Sequence, residues 1–492
     1  MFETVAAAHR VRVRAAALAA VALLISACAV GPNYVRPATP LADRFAGLDP
    51  QVYAASEPGG AFWKAFDDPL LDRLASDALD ANHDLRIALA HVAEARADRG
   101  ETEYDRFPTV TASGGYTHQQ LPPAESFGAG SLDQRYYDAG FDASWELDLF
   151  GRVRREVQAR NAELESSEGG LRDAQVTVTA EVARTYVELR GEQEELDVAE
   201  RNVTNEQATL SLTSAQLAAG RGTEFDTERA QAQLSATRAT IPPLQAAVAR
   251  SIHRLSVLTG RPPTALQPLL IAPQPIPALP ALTPVGDPAA LLRRRPDIRV
   301  AERNLAAATA EIGVAVGDLF PKVTFTGSFG YAATQPHSLG DLGSRAYTIG
   351  PAISWAAFDL GRVRARIRAR RAGADAALAR YEQTVLQALE DTENALVTHA
   401  RARESLVETE RSARASAAAA AIARMRYTEG ESNFLDVLDA QRTQLEAQER
   451  LAQARTDAAT SLVAVYKALG GGWEQAPLPR YTRADGPPRD AR

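Results

Sequence analysis

The chain is written twice. Asp84-Leu85-Arg86-Ile87 through Phe107-Pro108 returns as Asp297-Ile298-Arg299-Val300 through Phe320-Pro321, 213 residues later. Phe150-Gly151-Arg152-Val153-Arg154 returns as Leu360-Gly361-Arg362-Val363-Arg364 at an offset of 210, and Gly220, Asp226 and Ala230-Gln231 recur at that offset as Gly430, Asp436 and Ala440-Gln441. Leu258-Thr259-Gly260 is answered by Leu469-Gly470-Gly471 one residue further on. Self-similarity on this scale means two copies of one structural unit. The copies cover 28–260 and 296–472, and between them 261–295 holds nine prolines from Arg261 to Pro288, too many for a regular helix. A proline- and charge-rich tail, 473–492, closes the chain.

Each copy reads as a helix, two strands, a very long helix, a tight turn and a second long helix. An alternation of period two places strands near 109–118 and 136–148 in the first copy, and near 322–331 and 346–357 in the second. Val110, Ala112, Gly114 and Tyr116 alternate with Thr109, Thr111, Ser113 and Thr117, and Tyr347, Ile349, Ile353 and Trp355 alternate with Thr348, Gly350, Ala352 and Ser354. A half-buried soluble sheet gives the same pattern. Aromatics near the strand ends (Tyr116, Trp145, Tyr331, Trp355) suit the interfacial girdle of an outer-membrane barrel. Long helices are expected at 151–219 and 223–259, and at 361–429 and 433–469. About 69 residues at a rise of 1.5 Å reach ~100 Å, a length that bundles and tunnels need and globular cores do not. Ile241-Pro242-Pro243 is expected to break the second helix of copy one midway; copy two has Leu451-Ala452-Gln453 there.

Beyond the first 30 residues no apolar run reaches the ~18 needed for a spanning helix, so any later membrane crossing falls to the strands. Four strands cannot close a barrel without leaving an unpaired edge in lipid. Several chains must therefore contribute: two give eight strands, filled by their own side chains, and three give twelve around a lumen. The chain count stays open at this point.

The N-terminus carries Arg10, Arg12 and Arg14, then an apolar stretch from Ala15 to Ile25, then Ile25-Ser26-Ala27-Cys28. This reads as an export signal over 1–27, and its end resembles a bacterial lipobox. By that resemblance Cys28 is lipidated and becomes the first mature residue; Ala29 after it, where an aspartate would favour retention at the inner membrane, points to the outer membrane. The formal charge of −8, or −10 for the mature chain, argues against a general nucleic-acid binder. One cysteine cannot make an internal disulfide. Seven scattered histidines lack ligand-like spacing, so neither a metal nor a cofactor is expected. No glycine-rich phosphate loop or nucleophile elbow occurs, and no carboxylate is expected to pair with a plausible cleft or with a histidine. An enzyme has no support.

Five segments carry a resemblance to a known family: Cys28-Ala29-Val30-Gly31-Pro32-Asn33-Tyr34, Trp63-Lys64-Ala65-Phe66-Asp67-Asp68-Pro69, Trp145 to Arg152, Leu292-Arg293-Arg294-Arg295-Pro296-Asp297-Ile298, and Tyr427-Thr428-Glu429-Gly430 leading to Leu435 through Gln441. Over roughly residues 28 to 472 the chain resembles the TolC-like outer membrane factors of tripartite efflux systems, in their lipoprotein (NodT-type) branch. The resemblance implies an α+β membrane protein: a homotrimer whose chains each give four strands to a twelve-stranded β-barrel in the outer membrane, above a long α-helical periplasmic tunnel. It implies a lipid anchor in the inner leaflet of that membrane. It also implies a periplasmic adaptor (membrane fusion) protein and an inner-membrane efflux transporter as partners, the chain itself being a passive exit duct. The competing reading is a structural periplasmic coiled-coil lipoprotein without a pore.

Asp436 and Asp439 lie three apart on a helix and share one face; in the resembling family the corresponding acids point into the pore near its periplasmic constriction. Three copies would stack acidic rings that attract cations. Tyr427 and Asp226 fall close to the two tight turns, where a phenol donating to a carboxylate would tie neighbouring helix pairs in a tip lock. Ser432 stands where TolC itself has a basic residue, which leaves a salt-bridge component in doubt. Gly220, Arg221, Gly222 and Gly430 would form the turns that meet the adaptor, and each glycine is equally suited to a helix C-cap. Six arginines from Arg362 to Arg371 follow the fourth strand at a spacing of two that is expected to wind around the helix without building one basic face; they would emerge near the inner-leaflet headgroups, where a generic solvated or intersubunit-paired role is the leading reading and attraction to anionic groups the alternative. Glu311, Glu390, Asp391 and Glu393 are their candidate partners.

Overall fold

The computed structural model describes residues 29–40, 42–57, 59–121 and 132–473. The export signal, Cys28 and all but the first residue of the tail lie outside them. The main elements are α1 (Pro69–Ala81), α2 (His83–Tyr104), β1 (Thr109–Leu121), β2 (Leu132–Leu147), α3 (Arg152–Ala218) and α4 (Glu224–Leu258). After the proline-rich joint come α5 (Pro288–Arg294), α6 (Pro296–Gly317), β3 (Lys322–Ala333), β4 (Arg345–Ser354), α7 (Leu360–Thr428) and α8 (Phe434–Ala468). The chain divides into two compact units, each described by itself: one takes residues up to 38 with 92–168 and 300–382, the other 39–91, 169–299 and residues from 383 on.

The first unit holds an open antiparallel sheet in the order β1-β2-β3-β4. Its register puts Ala112 opposite Phe141, Phe141 opposite Phe329 and Phe329 opposite Tyr347. One face is therefore apolar from edge to edge, yet it is solvent-accessible: Val110 is 62% exposed, Phe141 59%, Tyr347 74%, Ile349 68% and Ile353 71%. The other face carries Thr111, Asp142, Ser144, Thr326, Ser328 and Thr348 around a shallow polar hollow. An apolar face left uncovered in a folded chain calls for a non-aqueous environment or a partner. The two tryptophans hold matching places in the repeat. Trp145 Nε1 donates to the Arg106 carbonyl at 2.9 Å, and Trp355 Nε1 to that of Leu319 at 3.0 Å.

Helices α2, α3, α6 and α7 continue this unit. α3 meets α6 through small residues: Ala162 packs on Ala306 and Ala307. Arg155 lies against Gly313, where any Cβ would come within 2.7 Å of its side chain. α7 sets Val363 and Ile367 on Ala315 of α6.

The second unit contains the main core. Phe62, Phe66, Leu71, Tyr186, Leu189, Leu255 and Tyr466 pack together almost without solvent contact, and complete burial of one such side chain contributes about 2 kcal/mol. Arg295, from the Leu-Leu-Arg-Arg-Arg-Pro-Asp-Ile segment, pairs with Asp297 (2.7 Å) and Asp391 (3.2 Å) and donates to the Ala468 carbonyl at 3.0 Å. The expected break at Ile241-Pro243 does not occur, and α4 runs unbroken through both prolines. They remove the donors for the Arg238 and Ala239 carbonyls, but those residues are exposed, where a carbonyl is open to solvent. Buried Thr237 and Val248 hold the helix on either side.

Candidate functional site

Most candidate residues sit on two turns built alike. Gly220 (φ 71°) and Gly430 (φ 80°) take the left-handed conformation just past α3 and α7. Arg221 N then donates to Gln216 O at 2.9 Å, and Glu431 N to Arg426 O at 2.8 Å, the six-to-one bond that closes a Schellman turn. The following helices are capped in parallel. Thr223 Oγ1 accepts from Asp226 N at 3.2 Å and Asn433 Oδ1 from Asp436 N at 3.0 Å. Asp226 and Asp436 thus share the third helical position, where a carboxylate complements the positive end of the helix dipole. Gly222 is half-buried beside the first turn, and Arg221 is exposed.

Tyr427 lies over Phe434 with ring centroids 5.8 Å apart, beside buried Ala230, Val437 and Leu438. Its hydroxyl donates to Gln216 Oε1, while Asp226 accepts the Thr223 hydroxyl at 2.6 Å. Burial, and secondarily the charge of Asp226, raise the Tyr427 phenol pKa. Tyr427 and Asp226 are therefore brought within electrostatic reach, but inside the chain each is bonded to a different residue. Gln216 was not singled out from sequence, because it contacts Tyr427 across 211 residues. The Ser432 hydroxyl oxygen is buried without a partner among the described residues.

Asp436 and Asp439 are both exposed, whereas Val437 and Leu438 between them are buried. α8 thus turns its apolar stripe inward and carries both acids on its open side. Neither carboxylate has a hydrogen-bond or ion-pair partner among the described residues. A polar layer that the sequence did not reveal crosses the same helices: Asn202 Nδ2 donates to Gln448 Oε1 at 3.0 Å, Gln441 Nε2 to Thr209 Oγ1 at 3.0 Å, and Thr237 Oγ1 to Glu206 Oε1 at 3.0 Å. Burial holds the Glu206 carboxyl above its usual range. The residues read locally as ordinary polar positions of a long helix, and only packing sets them inside.

Directly after Cys28 the structure holds a clamp. Arg155 is buried, its Nε 3.0 Å from Val30 O, its Nη2 3.2 Å from both Ala29 O and Gly31 O and 2.8 Å from Asn33 Oδ1. Val30 N donates to Phe150 O at 3.0 Å. Gly31 and Gly313 cross so closely that a Cβ on Gly31 would lie 2.5 Å from Gly313 Cα. Tyr34 then donates to Glu302 Oε1 at 3.0 Å. Nothing in the sequence distinguished Arg155 from its neighbours.

Alternate members of the arginine run are paired. Arg362 pairs with Asp359 (2.9 Å), Arg366 with Asp318 (2.5 Å) and Arg370 with Glu311 (3.6 Å). Of the other proposed partners, Asp391 pairs with Arg295, and Glu393 accepts the backbone N–H groups of Ala46 and Gly47, both at 2.8 Å. A spacing of two along a helix sorts alternate arginines onto opposite faces, 362/366/370 and 364/368/371, so the run builds two rows and, as expected, no single basic face. A carboxylate and a histidine do meet, against expectation: His118 Nε2 is 2.5 Å from Asp133 Oδ1, but on exposed strands and not in a cleft. His399 Nδ1 lies 3.0 Å from Ser461 Oγ, with both residues buried.

Residues 74–261 and 288–471 match the family model described as outer membrane efflux protein, one stretch in each copy of the repeat. Outer membrane protein OprJ of Pseudomonas aeruginosa is 32% identical over 461 residues, covering 92% of this chain and 95% of its own. Nodulation protein T of Rhizobium leguminosarum bv. trifolii is 30% identical over 460 residues, covering 92% and 96%. Among solved structures, the outer-membrane channel OprN superposes with a TM-score of 0.85 at 44% identity, covering 91% of this chain and all of that one.

Proposed function

The chain belongs to the outer membrane efflux protein family and is an exit duct for efflux; from that premise we propose that it works as a lipid-anchored homotrimer gated at its two helix turns. The carrying observation is the open sheet. β1 and β4 each have one unpaired edge, and open edges in lipid are too costly to persist. Joining β4 of one chain to β1 of the next closes a barrel, and twelve strands from three chains leave a lumen lined by the Thr, Ser and Asp face. The helices support the same ring. α6 receives Arg155 of α3 at Gly313, whereas Gly100, its counterpart in α2, meets nothing within 4 Å. The start of a neighbour's α7, with Ala365 in the place of Arg155, fits that open seat.

In such a trimer the unpaired Asp436 and Asp439 form acidic rings at the constriction, and Tyr427 with Asp226 locks adjacent helix pairs. Gly220, Arg221, Gly222 and Gly430 face a periplasmic adaptor, which links the duct to an inner-membrane efflux transporter. Such a duct moves substrate without a chemical step. The Arg155 clamp fixes the backbone immediately after Cys28, as a lipid anchor there requires.

Single-channel conductance in a planar bilayer tests the gate. The wild type is expected to give a small, cation-selective conductance that rises when Asp436→Ala and Asp439→Ala are combined. Unchanged conductance at matched salt and pH would remove the rings from the gate. Silence from both proteins despite verified insertion would favour the pore-free structural lipoprotein. Labelled palmitate should enter the wild type and not Cys28→Ser; equal incorporation would end the anchor assignment.

A further inference from the structure

The two arginine rows of α7 differ in what they face. Arg362, Arg366 and Arg370 are taken up by Asp359, Asp318 and Glu311. Arg364, Arg368 and Arg371 stand on the opposite side at spacings of four and three, which puts them on one face within two turns. All three are exposed, and none has a hydrogen-bond or ion-pair partner among the described residues. Three like charges on one face repel one another by a few tenths of a kcal/mol per pair, so the row is not there for helix stability.

Its surroundings follow from the repeat. At an offset of 210, Arg364, Arg368 and Arg371 correspond to Arg154, Gln158 and Asn161 of α3. Gln158 and Asn161 line a hollow together with Pro32, Asn33 and Tyr34, the segment that leads away from the N-terminus. This face of α3 is thus the one along which the N-terminal segment runs beside α6, and within the single chain the same face of α7 is exposed. The row begins nine residues after Trp355, on a chain whose apolar sheet face ends in Ile353 (71% exposed), Trp355 (54%) and fully exposed Phe358. Arg364 to Arg371 occupy roughly 6 to 17 Å of helix beyond Leu360, the depth of a headgroup layer just outside the hydrocarbon.

We infer that Arg364, Arg368 and Arg371 form a docking row for the phosphate groups of anionic phospholipids in the leaflet bordering the periplasm. Guanidinium groups bind phosphate oxygens by paired, charge-assisted hydrogen bonds, and among the described residues no acid pairs with these three, Asp375 one turn past Arg371 included. The inference rests on the membrane position of the sheet and not on gating at the turns.

The test is native mass spectrometry of the full-length protein released from detergent with added phosphatidylglycerol or phosphatidylcholine of identical acyl chains. Each basic side chain near an anionic surface strengthens attraction by about fivefold, so neutralising all three should lower bound phosphatidylglycerol by about tenfold or more after screening. The variant R364Q/R368Q/R371Q is expected to lose the preference for phosphatidylglycerol while keeping its oligomeric mass. A control that removes three other exposed arginines, R401Q/R411Q/R450Q, should keep that preference. Equal retention of both lipids by the wild type would overturn the inference. So would an undiminished preference in R364Q/R368Q/R371Q. If that variant instead falls apart into single chains that still prefer phosphatidylglycerol, the row is a subunit contact and the inference also fails.

Discussion

The two strand-to-helix junctions start from nearly the same residues, and their polar groups have diverged. At the first, Asp148 accepts the N–H groups of Val153 (3.1 Å) and Arg154 (2.9 Å), and Arg155 turns inward to hold the N-terminal segment. At the second, the residues in those places are Phe358, which is fully exposed, and Ala365. The contrast continues further along the long helices. Leu189 of the first copy is completely buried in the core, and its counterpart His399 is just as buried but polar. A duplicated backbone therefore keeps its strands, caps and turns while single side chains at matching positions take on different duties. Only one copy has an N-terminus to fasten, so only one needs the clamp.

Breaking the clamp gives the largest expected effect. Arg155→Ala leaves four oxygens of the N-terminal segment without their charged donor, and at about 1 kcal/mol apiece that costs the segment about 4 kcal/mol of local stability. Hydrogen exchange at Val30 should accelerate by several hundredfold, whereas Arg364→Ala at the second junction should leave it unchanged. Slow exchange at Val30 in Arg155→Ala would show that the crossing of Gly31 and Gly313 holds the segment unaided.

The buried imidazole should add an acid sensitivity at His399 that the first copy, with Leu189 in that place, does not have there. Burial, with a smaller contribution from Arg403, lowers the His399 pKa to about 4. Below its ordinary value of about 6.5 the unfolded chain binds a proton that the folded chain refuses, so the stability present above pH 6.5 is lost as pH falls to about 4, about 3 kcal/mol in all. His399→Leu, which copies the first repeat, should remove that part of the acid-induced drop in the melting temperature of the helical signal. An identical drop in wild type and variant would assign the acid sensitivity elsewhere.

The turns should give the smallest effect, and the same one in both copies. A Cβ on Gly220 or Gly430 would meet no atom within 4 Å. Only the left-handed backbone is penalised, and Gly220→Ala and Gly430→Ala should each cost about 1 kcal/mol. Melting midpoints of the two variants are expected to coincide. A clear difference would mean that one turn is engaged in the assembly and the other is not.

Much of the architecture was legible in advance, because it is written in local periodicity. Alternation of period two located Val110 to Tyr116 and Tyr347 to Ile353, and Gly220 and Gly430 marked both turns. Asp436 and Asp439 could be placed on one helix face from their spacing alone. Local rules misjudged Pro242-Pro243, because what keeps α4 intact is the exposure of the Arg238 and Ala239 carbonyls together with the buried anchors around them. They missed Gln216, Glu206 and Arg155, whose partners lie from 31 to more than 200 residues away.

The sequence by itself determined the repeat and the order of strands and long helices. These depend on backbone geometry, which is dictated within a few residues. Only the tertiary structure decided which acid takes which arginine, what Tyr427 bonds, and that His399 is neutral near pH 6. A side chain's partner and its access to water are set by segments that meet from distant parts of the chain. Arg366 and Arg364, two residues apart, have opposite fates for that reason: one reaches Asp318, 48 residues back along the chain, and the other is left facing outward.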